Sequence, residues 1–132
     1  MENAERIKEE IKKILSSKKV LWTFREISEA LARKDSSLTK DLKFVLGILY
    51  GEGVIDYIEV APFNFKYYFL KEREEEVKRI LRDRQIVFCP VDGCKKAFKV
   101  PQKRKWDSLF ARHLAQEHGY PWEEIIRLLE NL

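Results

Sequence analysis

The sequence predicts an α+β fold made of two modules, and three observations carry this prediction. Apolar residues recur with helical spacing through the first 50 residues. Two β-rich runs, 54–60 and 65–70, follow with a turn between them. The two cysteines and two histidines of the 132-residue chain all fall between positions 89 and 118, which marks the last third as a separate module.

The first two helices are predicted from end signals and apolar stripes. Asn3 is a good N-cap residue, and the stripe that follows it is Ile7, Ile11, Ile14 and Leu15. Residues 16–19 end this helix, and a short extended run follows at 20–22. Thr23 and Glu26 have the spacing of a capping box. They predict a second helix whose apolar face is Ile27, Ala30 and Leu31.

A third helix is predicted after a turn at 35–37 that also supplies its N-cap. Its apolar residues recur at i, i+3, i+4 and i+7: Leu42, Val45, Leu46 and Leu49. Gly51 and Gly53 end it. The runs 54–60 and 65–70 then form a two-stranded hairpin.

Residues 71–84 are strongly helix-forming and carry favourable i,i+4 ion pairs. Their narrow apolar stripe is Val77, Ile80 and Leu81. Three roles fit such a helix: it docks on the first module, links the modules rigidly, or forms a dimer seam. The candidate homodimer seams are therefore helices 1–16 and 71–84.

The cysteines and histidines follow the pattern C-x4-C-x18-H-x4-H, formed by Cys89, Cys94, His113 and His118. Two thiolates followed by two imidazoles at such spacings are typical of a tetrahedral Zn²⁺ site. With four protein ligands the site has no open position for water, so we expect one structural zinc ion. Because the metal uses both histidines, the sequence gives no support for an enzyme.

Positive charge is concentrated around the predicted metal site. The chain has a net charge of +4, and segment 85–118 alone holds seven basic and three acidic residues. The basic residues are Lys95, Lys96, Lys99, Lys103, Arg104, Lys105 and Arg112. Such a cluster indicates a polyanionic partner. The alternative is a solvated surface, since charged residues make up 36% of the chain, as in hyperthermophile proteins.

Residues 1–70 resemble the winged helix-turn-helix domain of prokaryotic and archaeal transcription regulators. The resemblance lies in the order of elements and in the phrase from Leu38 through Leu49 to Gly51-Glu52-Gly53-Val54-Ile55. It implies that the third helix enters the major groove of double-stranded DNA. Its groove-facing residues would be Ser36, Ser37, Thr39, Lys40 and Lys43, with Phe44 either exposed or packed on the hairpin. The wing tip, with Pro62 and Phe63, is more apolar than a wing that grips phosphate.

Residues 86–118 resemble the C2H2 zinc finger. Besides the four ligands, Phe98 and Phe110 stand where the family has core residues. Eighteen residues separate Cys94 from His113, where the family has about twelve. The excess is a basic loop, whose Lys103, Arg104 and Lys105 would hold phosphates. The base-reading positions would be Trp106, Leu109 and Arg112; we expect Trp106 and Leu109 to pack on the C-terminal helix.

The predicted protein is thus a winged-helix domain (1–70), a helical connector (71–85) and a C2H2-type finger with an extra C-terminal helix (86–132). The expected function is sequence-dependent binding of double-stranded DNA in transcription regulation. An adaptor for protein partners, using Phe63, Trp106 and the connector, is the alternative, and RNA is a further candidate. No small-molecule substrate is evident. Without a signal peptide or long apolar run, a cytoplasmic location is expected and a membrane is not.

Overall fold

The computed structural model describes residues 2–102 and 105–132. Over these residues it contains helices and strands in the order α1 (Glu2–Leu15), α2 (Phe24–Lys34), α3 (Leu42–Gly51), β1 (Ile55–Val60), β2 (Phe65–Leu70), α4 (Glu74–Asp83), β3 (Ile86–Phe88), β4 (Lys96–Lys99), α5 (Leu109–His118) and α6 (Trp122–Glu130). The fold is mixed α and β, as predicted. Within the described ranges, none of these helices has the length and apolar content needed to cross a bilayer.

The chain divides into two compact units. The first consists of residues up to 58 together with 66–80, and the second of 59–65 together with 81–132. The four strands form one mixed sheet in the order β2-β1-β4-β3. Strand β1 begins in the first unit and ends in the second.

The core of the first unit is built from the apolar stripes of α1, α2 and α3. The stripe residues Ile7, Ile11 and Leu15 are fully buried, as are Leu31 and Leu42 among others. The predicted capping box is confirmed, because the Thr23 side chain accepts from Glu26 N and the Glu26 side chain accepts from Thr23 N. The expectation for Asn3 is wrong: α1 already begins at Glu2, so Asn3 lies inside the helix.

The α-helical part of the third helix begins later than the turn at 35–37 suggests. Asp35 accepts hydrogen bonds from the Ser37 backbone N–H (3.0 Å) and the Ser37 hydroxyl (2.7 Å). These bonds tighten the chain into a 3₁₀ segment, Ser36–Asp41, and α3 follows from Leu42. Asp35 therefore caps the 3₁₀ segment and not α3 itself.

In the first unit, two contacts hold the segment that follows α1: one joins it to strand β2, and the other binds the C-terminal end of α1 to Arg73. Trp22, in the extended run after α1, exchanges backbone hydrogen bonds with Tyr68 of β2 at 3.0 and 2.7 Å. Arg73 donates from Nη1 to the carbonyl oxygens of Leu15 (2.8 Å) and Ser17 (2.7 Å), just where α1 ends. The carbonyls that a helix leaves unpaired at its C-terminus thus gain a charged donor.

The second unit is organised around β4. Strand β3 pairs with β4 in antiparallel register, Val87 opposite Phe98. The end of β1 pairs with the other edge in parallel register, Glu59 opposite Lys96. The Lys96 ammonium also lies 2.8 Å from a Glu59 carboxylate oxygen. A finger predicted from residues 86–132 alone lacks this extra strand.

Candidate functional site

The four cysteine and histidine side chains converge in the second unit from a hairpin and a helix. Cys89 follows β3, Cys94 precedes β4, and both histidines lie on α5. Ser108 caps α5, its hydroxyl accepting from Ala111 N at 3.2 Å. The helix ends at His118 because Gly119 adopts a left-handed conformation, φ 62°, which glycine enters without steric cost.

The donor atoms are close enough to share one ion. Their Sγ and imidazole nitrogen atoms all lie within 4.8 Å of one another. Nε2 of His118 lies 3.2 Å from Cys89 Sγ, and Nε2 of His113 lies 3.4 Å from Cys94 Sγ. The two Nε2 atoms are 3.0 Å apart. Cys89, Cys94, His113 and His118 therefore form a candidate site for a single metal ion.

The turn between the cysteines also serves the site. The Val91 backbone N–H donates to Cys89 Sγ, and Cys94 N donates to the Val91 carbonyl at 3.1 Å. Gly93 adopts φ 84°, a left-handed conformation that lets the chain reverse before Cys94. A backbone amide aimed at sulfur stabilises a thiolate, as expected of a metal-binding turn.

The surroundings set the protonation of the donors. Burial raises the pKa of the Cys89 thiol to about 11; the Val91 N–H opposes this effect and nearby Cys94 adds to it. Burial also lowers the pKa of His113, and charge on His118 lowers it further. At neutral pH His113 therefore presents a neutral imidazole, whereas a bound cation would have to displace the Cys89 proton.

An apolar wall supports the imidazoles. The Phe98 ring lies 4.9 Å from the His113 ring and 5.8 Å from the Phe110 ring, centroid to centroid. Phe98 and Phe110 are buried, with 6% and 2% of their surface exposed. They occupy the core positions that the finger resemblance assigned to them. The residues of the candidate metal site thus rest on a packed core with Leu114, Ile125 and Leu129.

The residues assigned to the DNA groove lie together at the start of the third helix, but not all offer free groups. Ser36, Ser37, Thr39 and Lys40 belong to the 3₁₀ segment, and Lys43 belongs to α3. The Ser37 hydroxyl donates to Asp35, and the Thr39 hydroxyl donates to the Ser36 carbonyl at 2.9 Å. These two hydroxyls are donors within the turn itself.

Lys40 and Lys43 have their charge available. Both are exposed, and neither forms an ion pair with any residue that the structure describes. Phe44 is also on this surface, with 56% of it exposed. Lys43 and Phe44 thus lie on α3 away from its buried stripe, and Lys40 adds a second exposed cation from the 3₁₀ segment just before it.

The finger side of the predicted nucleic-acid surface is different. Lys103 and Arg104 lie outside the described residues, and Lys105 is exposed. Arg112 pairs with Asp107, Nη2 to Oδ1 2.7 Å. The 3₁₀ segment that contains Trp106 lies against α6, but Trp106 and Leu109 are 59% and 49% exposed, so α6 leaves much of both side chains uncovered. Helix α6 fills its contact with α5 with Ile125 and Leu129 instead.

One cluster near α3 was missed by sequence reasoning. Tyr50 of α3, Tyr57 of β1 and Tyr68 of β2 form a chain of rings, with centroids 5.3 and 6.2 Å apart. The Lys66 ammonium lies 4.1 Å from the Tyr57 centroid. The alternation of tyrosine and lysine across the two strands was the available signal.

Comparison of the chain with models of protein families, with curated proteins and with solved structures gave no match.

Proposed function

We propose that Cys89, Cys94, His113 and His118 hold one Zn²⁺ ion with a structural role. Two sulfur and two nitrogen donors are the set that tetrahedral zinc sites use, and a closed set leaves no position for substrate. The donors already converge: their separations of 3.0 to 3.4 Å are a few tenths of an ångström shorter than the about 3.3–3.8 Å that tetrahedral Zn–N and Zn–S distances imply, so only small shifts would be needed to fit the ion. The ion would bind the hairpin to α5 and so hold the second unit together.

We further propose that the protein binds double-stranded DNA through the third helix and acts in transcription regulation. The observation that carries this proposal is the pair of exposed, unpaired lysines, Lys43 on α3 away from its buried stripe and Lys40 in the 3₁₀ segment just before it. A helix with this arrangement can enter a major groove with its N-terminal half. Lysine side chains there reach guanine or phosphate oxygens.

The surroundings of α3 support a winged-helix arrangement. Between α1 and α2, Trp22 bridges to β2, so a short extended segment joins the two-stranded hairpin that follows α3. Beside α3, Tyr57 and Tyr68 carry Lys66 over their rings, and Tyr50 of α3 packs against Tyr57. Lys66 adds a third cation on the hairpin, where the sequence offered little charge. We therefore include Lys66 in the proposed surface.

The test is a titration of the protein against random and selected duplex DNA at two salt concentrations. Lys40→Ala with Lys43→Ala should weaken binding and relax any sequence preference. Lys18→Ala with Lys71→Ala is the matched control, because it removes the same charge from exposed sites elsewhere in the unit. If the Lys40/Lys43 variant binds as tightly as the parent, or weakens no more than the control, the third helix is not the recognition element.

Substitutions in the basic loop should affect DNA binding differently from substitutions in the third helix. Neutralising Lys103, Arg104 and Lys105 should weaken binding to all sequences alike. It should also reduce the slope of the logarithm of the binding constant against the logarithm of the salt concentration. Each lost phosphate contact lowers this slope by about 0.9, and up to about three contacts would be lost. A change in sequence preference from these loop variants would contradict a role limited to phosphate.

A specific observation also favours the second candidate, a protein-interaction adaptor. The base-reading positions of the finger present Trp106 and Leu109, while Arg112 is engaged by Asp107. Phe63 lies in the turn between β1 and β2, and Phe65 is the first residue of β2. They are 77% and 57% exposed, and their ring centroids are 5.9 Å apart. Apolar surfaces of this kind fit protein better than base edges. Absence of salt-dependent DNA binding by the parent protein would favour this candidate.

A further inference from the structure

Several large apolar side chains of the second unit are exposed, and besides Phe63 and Phe65 of the hairpin they include two pairs near its C-terminal helices. The finger-helix patch consists of Trp106 and Leu109, which are 59% and 49% exposed. The α6 patch consists of Trp122 and Ile126, which are 50% and 38% exposed. Exposure of large apolar side chains to water is unfavourable in an isolated chain.

Neither patch is needed for the core of its own unit. Helix α5 buries Phe110, Ala111 and Leu114, which lie on the side of the helix opposite Leu109. Helix α6 buries Ile125 and Leu129. Trp122 and Ile126 are one turn apart and extend this stripe beyond the width that α5 covers. The patches are therefore additional apolar surface, available to something outside the chain.

The two patches are bordered by opposite charge. Lys105 precedes Trp106 in the chain and is exposed, and Arg112 lies one helical turn after Leu109. Arg112 is paired with Asp107. On α6, Glu123 and Glu130 stand at i−3 and i+4 from Ile126 and are both exposed. A basic-rimmed apolar patch and an acidic-rimmed apolar patch on the same molecule are complementary to each other.

We propose that a second copy of this chain covers both patches. The finger-helix patch of one protomer contacts the α6 patch of its partner, and two-fold symmetry makes the same contact twice. The 3₁₀ segment Lys105–Asp107 packs against α6 in the same chain, so the two patches lie on adjoining elements, as a two-fold contact requires. This inference does not depend on DNA binding.

The exposed area suits a dimer of modest size. The four patch side chains expose on the order of 400 Å² per protomer, judged from their exposed fractions and the size of such residues. A standard interface buries about 800 Å² per partner, and the charged rim supplies the remainder. Tryptophans are also the residues most enriched among those that dominate binding energy.

The other candidate seams lack comparable apolar surface. In α1 the stripe Ile7, Ile11 and Leu15 is fully buried in the first unit. In α4 Val77 and Leu81 are buried. The described parts of segments 1–16 and 71–84 contain no exposed large apolar side chain, whereas the two patches contain four such side chains.

The first test is sedimentation velocity of the full chain from about 1 to 100 μM. The parent should shift from monomer to a mass of two chains over this range. Trp122→Ser with Ile126→Ser should weaken self-association by at least about tenfold. Phe24→Ser removes an exposed apolar ring from α2 and should leave the parent's behaviour unchanged. Circular dichroism and metal content confirm that each variant is folded.

The decisive test exchanges the rim charges. The variant Lys105→Glu/Arg112→Glu has two acidic patches, and the variant Glu123→Lys/Glu130→Lys has two basic ones. Each alone should dimerise at least about tenfold more weakly than the parent, and an equimolar mixture should form a heterodimer. The proposal is overturned if the parent stays monomeric at 100 μM, if the mixture does not associate, or if assembly continues beyond two chains.

Discussion

The Nε2 atoms of His113 and His118 lie 3.0 Å apart, and each also faces a cysteine sulfur. Four lone-pair donors directed at one point repel one another unless a proton or a cation lies between them. Burial keeps the Cys89 thiol protonated to about pH 11, so in the metal-free protein protons must fill this role. A divalent ion would replace them and bind all four donors at once.

Metal removal should therefore unfold the second unit. We expect about one zinc ion per chain in purified protein, and chelation should abolish the cooperative unfolding of this unit. Cys94→Ser should lower the metal content to well below one per chain. Elemental analysis and the thiolate absorption bands of the cobalt-substituted protein measure both effects.

The control for this prediction is Gln116→Ala, on the exposed side of α5, which should retain the ion. A metal-free preparation whose second unit unfolds as cooperatively as the metal-bound form would disprove a structural role. So would a cobalt spectrum that shows water or an added anion on the metal.

Arg73 should contribute more to the stability of the first unit than its single charge suggests. Its guanidinium binds two carbonyl oxygens after α1 and both carboxylate oxygens of Glu76, at 2.8 and 3.1 Å. These bonds also lower the pKa of Glu76. Arg73→Met should lower the free energy of unfolding by about 2–3 kcal/mol, measured by urea denaturation. Arg73→Lys should recover only part of this, since an ammonium cannot form the planar fork.

Lys71→Met is the matched control, because Lys71 belongs to the same 3₁₀ turn and is exposed. It should change stability by less than about 0.5 kcal/mol. Equal losses for Lys71→Met and Arg73→Met would show that charge alone matters there.

Asp35 should make the first unit sensitive to acid. Hydrogen bonds from the Ser37 hydroxyl and backbone N–H, followed by the charge of Arg6, lower the pKa of Asp35 below its usual value. Because the pKa of Asp35 is lower in the folded than in the unfolded protein, its carboxylate stabilises the fold fully above about pH 3.9. This stabilisation is lost as the pH falls through the pKa of the folded state. Asp35→Asn should therefore destabilise the protein at pH 7, and the deficit should shrink below pH 4.

Urea denaturation of both proteins between pH 7 and pH 2.5 measures this convergence. Asp83→Asn, at the exposed end of α4, serves as control. A constant difference between Asp35→Asn and the parent across the whole range would mean that the carboxylate charge is irrelevant to the 3₁₀ segment.

The excised finger, residues 86–132, should bind metal less tightly than the whole chain. It lacks the end of β1, where the Glu59 and Ala61 amides donate to the Lys95 and Ala97 carbonyls at 2.7 and 2.9 Å, and it lacks the Glu59–Lys96 ion pair. Support outside the ligands commonly changes metal affinity by about tenfold or more. Competition with a chelator, followed by absorbance, compares the two. Equal affinities would show that the added strand gives the site no support.

What the sequence could predict follows from how local each signal is. The Cys-Cys-His-His spacing, the Thr23 capping box and the apolar stripes of α1 and α3 act over a few residues, and the structure has them as predicted. The parallel pairing of Glu59 with Lys96 joins residues that no short-range pattern connects. The tyrosine cluster likewise requires α3 and the hairpin to meet first.

The misplaced expectations have physical causes as well. Asp35 binds Ser37 so tightly that a 3₁₀ segment replaces the first turn of the third helix. Trp106 and Leu109 were expected to be covered by the C-terminal helix because large apolar residues are usually buried. In the structure Ile125 and Leu129 already fill the space between α5 and α6, so Trp106 and Leu109 remain at the surface.

The pairing of the end of β1 with β4 has a consequence during synthesis of the chain on the ribosome. Residues 59 and 60 leave the ribosome before Lys96 and Ala97 exist, and synthesis at about 5–20 residues per second makes this delay about 2–7 s. Residues up to 80 complete the first unit within the same interval. The nascent chain therefore carries one unpaired strand edge for several seconds, and the charge of Glu59 on that edge opposes wrong pairing with a neighbouring chain.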